Sequence, residues 1–225
     1  MTGEELIGYD LPLFAGITAA DLSGKELNLA EKTLDAWEIL FNQQDQDRDV
    51  YFLLSGTLLA VYWTLEGREV IFTRFPIGAC FGELAALDGG DRSLAVVARS
   101  KSRVLKLSRQ SFLDLIDTVP QIRKRVTLDL VERVRGLTEK NVELTTFSVE
   151  QRVASYLIRL AMERNCLEVS GVLEDAPTHA EIAASIGANR EMVSRTITNL
   201  ARRGAIKPSR KRIELCDPER LSEHI

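Results

Sequence analysis

Phe81 to Ala98, FGELAALDGGDRSLAVVA, is the stretch on which the reading of this chain turns. It predicts a short helical turn, a tight glycine-rich corner, an arginine–serine pair and then an apolar strand. Neither GxxxxGK[ST] nor GxGxxG occurs, so this is not a strand-to-helix phosphate loop of those kinds. Gly82-Glu83-Leu84-Ala85 can present backbone N–H groups at a helix start, where the peptide dipoles favour an anion. Arg92 follows, with a planar fork that suits two phosphate oxygens, and the Ser93 hydroxyl stands beside it. Glu83 is left to accept from a sugar hydroxyl. The same letters also make an ordinary turn, with Asp88-Gly89-Gly90-Asp91 as a hairpin-like corner and Arg92 capping it or pairing with Asp88. The residues by themselves leave both readings open.

Around this stretch, from Asn28 to Leu107, short apolar runs alternate with turns, the rhythm of an all-β sandwich or roll. Val50–Leu54 is a strand stopped by Ser55-Gly56. Leu58–Thr64 and Val70–Phe75 flank Leu65-Glu66-Gly67-Arg68, a hairpin turn in which glycine supplies positive φ. Asn42–Asp49 is a polar loop, and residues 6–22 are short helical pieces at the sheet edge. Ser108–Thr118 predicts a helix leading into Pro120, and Gln121–Thr145 is the longest helical pattern. On it Leu130, Val134, Leu137, Asn141 and Leu144 make a seam of about two heptads, with one polar Asn141 of the kind that fixes register in a parallel dimer. A helix packed on its own domain fits the same spacing.

Beyond a boundary near Thr146 the pattern changes to short capped helices. Ser148-x-x-Gln151 is a capping box opening Val149–Glu163, and Thr178-x-x-Glu181 is a second. Gly187 ends that helix, and Asn189 caps another through Arg203. Two short helices joined by a glycine-containing turn are a helix-turn-helix. Val193, Ile197 and Leu200 form the buried stripe of the second helix, leaving Arg190, Glu191, Ser194, Arg195 and Thr198 free. Arginines at a helix N-terminal half oppose the dipole unless an anion arrives. Lys207 to Arg212, KPSRKR, is a basic turn between Ala205-Ile206 and Ile213–Leu215 that reads as a wing.

Charge is distributed unevenly. The net charge is −4, yet residues 1–50 hold eleven acidic against three basic side chains, while residues 177–213 hold eight basic against two acidic. A basic end on an acidic chain is a local nucleic-acid footprint that the total conceals. The three cysteines Cys80, Cys166 and Cys216 have no CxxC spacing and fit a reducing compartment. There is no 18-residue apolar run and no secretory signal, so a cytoplasmic protein without membrane contact is expected. With no histidine before His179, no GxSxG and no clustered carboxylates, no catalytic constellation is expected, nor a metal site.

The cassette FGELA, the acidic-glycine corner and the R-S pair resemble the phosphate-binding cassette of cyclic-nucleotide-binding domains. EIAASIGANREMVSRTITNL, Glu181–Leu200, resembles the DNA-reading motif of the cyclic-AMP receptor protein/FNR family of bacterial regulators, including its RExxxR core. LPLFxGIxxxDL also resembles that family's opening. Asp91 stands where many such cassettes carry Pro, Leu94 where they carry Ala, and Leu137 where relatives carry a polar residue. The resemblance implies an effector, cAMP or cGMP, held by Gly82, Glu83, Leu84, Arg92 and Ser93, with Thr138 towards the purine. It implies that Arg190 and Arg195 read guanine, that Glu191 accepts from a cytosine amine, and that Thr178, His179 and Asn189 touch phosphate or sugar. A TGTGA-like half-site follows.

The expected fold class is α+β: a β-roll over residues 1–118, a dimerisation helix over 119–146 and a winged helix-turn-helix over 147–225. The expected function is a homodimeric transcription regulator that binds double-stranded DNA, is gated by a cyclic nucleotide and meets RNA polymerase. A non-nucleotide effector, or none, is the alternative within the same DNA-binding role, and a signalling module without DNA binding is the alternative outside it.

Overall fold

The computed structural model describes residues 3–67 and 69–222; Arg68, at the end of the expected hairpin turn, lies outside them. The chain forms two compact units, one ending at Arg133 and the other beginning at Val134.

In the first unit, α1 (Gly3–Ile7) and a 3-10 turn (Pro12–Phe14) precede β1 (Leu29–Leu34), β2 (Ile39–Phe41), β3 (Val50–Ser55), β4 (Leu58–Trp63), β5 (Glu69–Arg74) and β6 (Cys80–Phe81). Next come α2 (Glu83–Asp88), β7 (Ala95–Ala98), β8 (Ser102–Leu107) and α3 (Arg109–Thr118). The strands pair antiparallel in two sheets, ordered β1-β8-β3-β6 and β2-β7-β4-β5. Side chains alternate across a strand, and here the alternation separates two cores. Tyr51, Leu53 and Val104 join Leu34, Phe41, Leu58, Phe81 and Val96 in one cluster. Val50, Phe52, Leu105 and Leu107 face the other way, onto Phe14, Phe112 and Leu115. That explains why β3 opens with four consecutive buried residues instead of an apolar–polar alternation.

Pro120 opens α4 (Pro120–Thr146), where its missing N–H costs nothing. At 27 residues this helix is the longest element. Ile122 and Val126 are buried in the first core, and Leu130 packs half-buried against it. Leu130, the first position of the expected seam, is thus engaged in part by its own domain. Val134, Leu137 and Leu144 are exposed at 63%, 56% and 45%.

The second unit continues with α5 (Val149–Glu163), β9 (Gly171–Glu174), α6 (His179–Ile186), α7 (Arg190–Arg202), β10 (Ile206–Ser209), β11 (Arg212–Leu215) and α8 (Pro218–Ser222). Ser148 and Thr178 each close a full capping box, with Gln151 and Glu181 respectively. Gly187, at φ 65°, ends α6 in the left-handed conformation. Val153, Leu157, Ile182, Val193, Ile197 and Leu200 make the core. The basic turn is tighter than expected, because Ser209 and Arg212 already pair across β10 and β11 and leave Arg210-Lys211 at its tip.

Candidate functional site

The expected cassette folds as a left-handed step, a six-residue helix and a second left-handed step. Gly82 caps α2 at φ 82°, and Gly89 leaves it at φ 73° with its N–H on the Ala85 carbonyl. A Cβ on Gly82 would lie 2.5 Å from Arg92 Nη1 and 3.0 Å from the Asp49 carbonyl, so glycine is required here twice over. Below the cassette, the Phe81 ring stacks on Phe75 and Tyr51, with centroids at 4.4 and 5.8 Å. A cleft of about 100 Å³ opens over Phe81 and Phe75, bordered also by Phe41, Leu84, Leu94, Glu83, Arg92, Ser93 and Arg133.

Arg92 is not the free guanidinium its loop position suggests. It is 3% exposed. Nη1 donates to the Gly82 carbonyl at 2.7 Å, and Nη2 donates to both Asp47 Oδ2 and the Asp49 carbonyl at 2.6 Å. The guanidinium carbon lies 4.2 Å from the centroid of the Phe41 ring, a cation–π distance. Its backbone is clamped as well: Gln44 N–H donates to the Arg92 carbonyl at 2.7 Å, and Arg92 N–H donates to the Asp45 carbonyl at 3.0 Å. Pairing with Asp88 is thereby corrected. Asp88 instead accepts from the Gly90 N–H at 2.7 Å. Asp47 is the partner, and it also accepts from the Tyr51 hydroxyl at 2.9 Å and the Asp49 N–H at 3.2 Å. Burial alone would push the Asp47 carboxyl up, but Arg92, the Asp49 amide and the Tyr51 hydroxyl outweigh it and hold it below the usual carboxylate value.

Glu83, read as open to a sugar hydroxyl, is 2% exposed and carries an ion pair. Arg133 on α4 donates to Glu83 Oε1 at 2.8 Å and to the Cys80 carbonyl at 2.8 Å, and pairs with Asp129 at 2.8 Å. Burial pushes the Glu83 carboxyl up against the pull of Arg133, and burial pushes the neighbouring Cys80 thiol up. Two residues that line the cleft each hold a buried polar atom without a hydrogen-bond partner, Glu83 Oε2 and Arg92 Nε. One is an acceptor and the other a donor. Leu84 and Ser93 are exposed at the cleft border. Thr138 lies on α4 in the second unit, where its exposed hydroxyl donates back to the Val134 carbonyl at 2.9 Å.

Asp47 and Arg133 are the residues that the sequence did not point to. A trace existed for the first: Asp45, Asp47 and Asp49 alternate in the polar loop, putting three acids where a strand-like segment would present one face.

In the second unit the expected DNA-reading residues gather on the exposed side of α7 and the start of α6. Arg190, Glu191 and Arg195 are exposed, and Arg195 Nη2 approaches Glu191 at 4.0 Å. Asn189 Oδ1 accepts from the Met192 N–H at 2.8 Å. Thr178 accepts from the Glu181 N–H at 3.2 Å and donates to Glu181 Oε2 at 2.9 Å. His179 is half-buried in the first turn of α6.

The family model of the cyclic nucleotide-binding domain matches residues 31–119, and that of the Crp-like helix-turn-helix domain matches residues 151–224. The chain belongs to the cyclic-AMP receptor protein/FNR family. It is thus a DNA-binding transcription regulator with a cyclic-nucleotide-binding domain, of the expected α+β architecture. It is 29% identical over 215 residues to the Cyclic AMP receptor protein of Thermus thermophilus, covering 94% of this chain and 95% of the relative. The fold resembles that of FixK2 from Bradyrhizobium japonicum, with a TM-score of 0.75 and 21% identity over 88% of this chain and 98% of that one. It also resembles the c-di-GMP responsive global regulator CLP of Xanthomonas campestris, with a TM-score of 0.74 and 20% identity over 84% and 94% of the two chains. Relatives in this family are transcription regulators, not enzymes. Among the described residues, no helix is long and apolar enough to cross a membrane.

Proposed function

We propose that this family member is a homodimer gated by a cyclic nucleotide, cAMP in first place and cGMP in second. The observation that carries the reading is that two residues lining one cleft, Arg92 and Glu83, each keep a buried polar atom without a hydrogen-bond partner, the donor Nε and the acceptor Oε2. Buried polar atoms without partners are costly, and a ligand offering both an anionic oxygen and a hydroxyl would supply a partner for each. A cyclic nucleotide phosphate beside its ribose has that chemistry. Ser93 adds a hydroxyl, the Gly82–Leu84 step adds backbone donors, and Thr138 would meet the purine. The exposed Val134, Leu137 and Leu144, with Asn141 among them, would bury against a second copy of α4. Arg190 and Arg195 would read guanines and Glu191 a cytosine in a TGTGA-like half-site, with Thr178, His179 and Asn189 on the backbone. Two such helices about 34 Å apart would enter successive major grooves, and the effector would select that spacing through its differential affinity.

Calorimetric titration with cAMP, then cGMP, tests the effector, with cyclic di-GMP as a third arm because the Xanthomonas regulator of similar fold is named for it. Micromolar binding of cAMP that Arg92→Lys loses supports the reading. Absence of heat from all three ligands removes the nucleotide and favours the alternative of another effector or none. That alternative rests on one observation of its own: the cleft of about 100 Å³ is below the roughly 300 Å³ at which small-molecule sites begin.

A further inference from the structure

The Arg92 fork already holds a carboxylate. Asp47 Oδ2 lies 2.6 Å from Nη2, the geometry of a charge-assisted bond. The Asp49 carbonyl takes the second hydrogen of Nη2, and the Gly82 carbonyl takes one of Nη1. In the pair, the Asp47 side chain is 36% exposed and that of Arg92 2%. The carboxylate is therefore the partner with access to solvent, and the guanidinium is the buried one. The loop that delivers Asp47 is in turn fixed to the cassette by the two backbone bonds between Gln44, Asp45 and Arg92.

We propose that Asp47 is an internal competitor for the effector's anionic group, so that the effector binds Arg92 by displacing this side chain. The inference rests on the reading that an anionic nucleotide is the effector. A phosphate that reaches beyond the partnerless Nε to the Nη2 edge of Arg92 has two routes. It either takes the fork from Asp47, giving up an existing ion pair, or it binds beside Asp47 with two negative charges in contact. Both routes weaken binding, and neither operates when residue 47 is neutral. Asp47 thereby sets the effector concentration to which the regulator responds. The Tyr51 hydroxyl and the Asp49 N–H hold the carboxylate in its competing position. The opposite role would be a fixed counter-ion that shapes the guanidinium for the effector, and it predicts the reverse effect of neutralisation.

Asp47→Asn keeps the shape and an acceptor for Tyr51 while removing the charge. Loss of a charge-assisted bond of ordinary strength corresponds to roughly ten- to hundredfold, so Asp47→Asn is expected to bind cAMP about tenfold tighter than wild type, or more. Equal or weaker binding overturns the proposal. Should Asp47→Asn fail to fold, Tyr51→Phe loosens the same carboxylate without altering charge and is expected to tighten binding about threefold; unchanged affinity again overturns it. A second arm separates this proposal from the nucleotide reading. Inorganic phosphate is titrated into both proteins while the Arg92 Nε–H resonance is followed by NMR. A shift at lower phosphate concentration in Asp47→Asn upholds the competition even if no cyclic nucleotide binds. Coincident titrations refute it even if one does.

Discussion

The two arginine-bearing regions of this regulator treat their charges in opposite ways. Arg92 is buried and turned inward onto Asp47 and two carbonyls, while Arg190 and Arg195 stand in solvent with only a loose Glu191 nearby. The cassette has woven its cation into the fold; the recognition helix keeps its cations outside the fold. Removing a cation should therefore harm stability in the first region and binding in the second. A buried ion pair broken from one side leaves unpaired groups behind, whereas exposed substitutions barely move stability.

The largest expected effect is that of Arg92→Ala. It strands Asp47 and the Gly82 and Asp49 carbonyls, and should lower unfolding free energy by about 3 kcal/mol, measured by urea denaturation. A loss below 0.5 kcal/mol would erase the contrast. Arg190→Ala is the mirror experiment. Stability should change by less than about 0.5 kcal/mol, while discrimination at one base pair drops by roughly 1–3 kcal/mol, read by competition binding at fixed salt. Thr178→Ala removes the α6 cap and should cost about 1 kcal/mol of stability. If it weakens DNA binding far more than that, the hydroxyl serves DNA as well as the helix.

Glu83→Gln is the smallest change and the most informative about sign. The carboxyl is pushed above its ordinary value of 4.5, so folding is favoured by its protonated form. Its contribution is full below pH 4.5 and lost as pH rises through the folded value. The amide cannot ionise, so the variant should melt slightly higher than wild type at pH 7.5, with the gap closing as pH falls through the folded value and gone below 4.5. A variant that melts lower than wild type at pH 7.5 would show that the Glu83–Arg133 pair outweighs burial.

Much of this was legible because its causes are local. Ser148, Thr178 and Asn189 cap helices through partners three residues away, and Gly187 stops α6 by its own φ. The faces of α7 follow from helical periodicity, and Val193, Ile197 and Leu200 are buried as that period requires. The cassette could be located by its letters but not understood from them. Its electrostatics come from Asp47, 45 residues before Arg92, and from Arg133, 50 residues after Glu83. No spacing rule connects such pairs; only the folded chain brings them together. An arginine between Asp91 and Ser93 in a glycine-rich corner also reads as exposed, and only closure of the 42–49 loop makes it buried. Leu130 reads two ways for a related reason. A heptad position and a core position look alike on a helix that leaves its own domain part-way along.

The two backbone bonds from Gln44 and to Asp45 give the 42–49 segment a fixed length as well as a fixed place. Surface loops ordinarily absorb insertions at little cost. Here one residue added between Asp45 and Asp47 would leave both bonds in place and carry Asp47 away from Arg92. The span from Asp45 to Asp47 is thus a place where chain length acts on an ion pair, and a more sensitive sensor is reached by changing residue 47 while keeping that length.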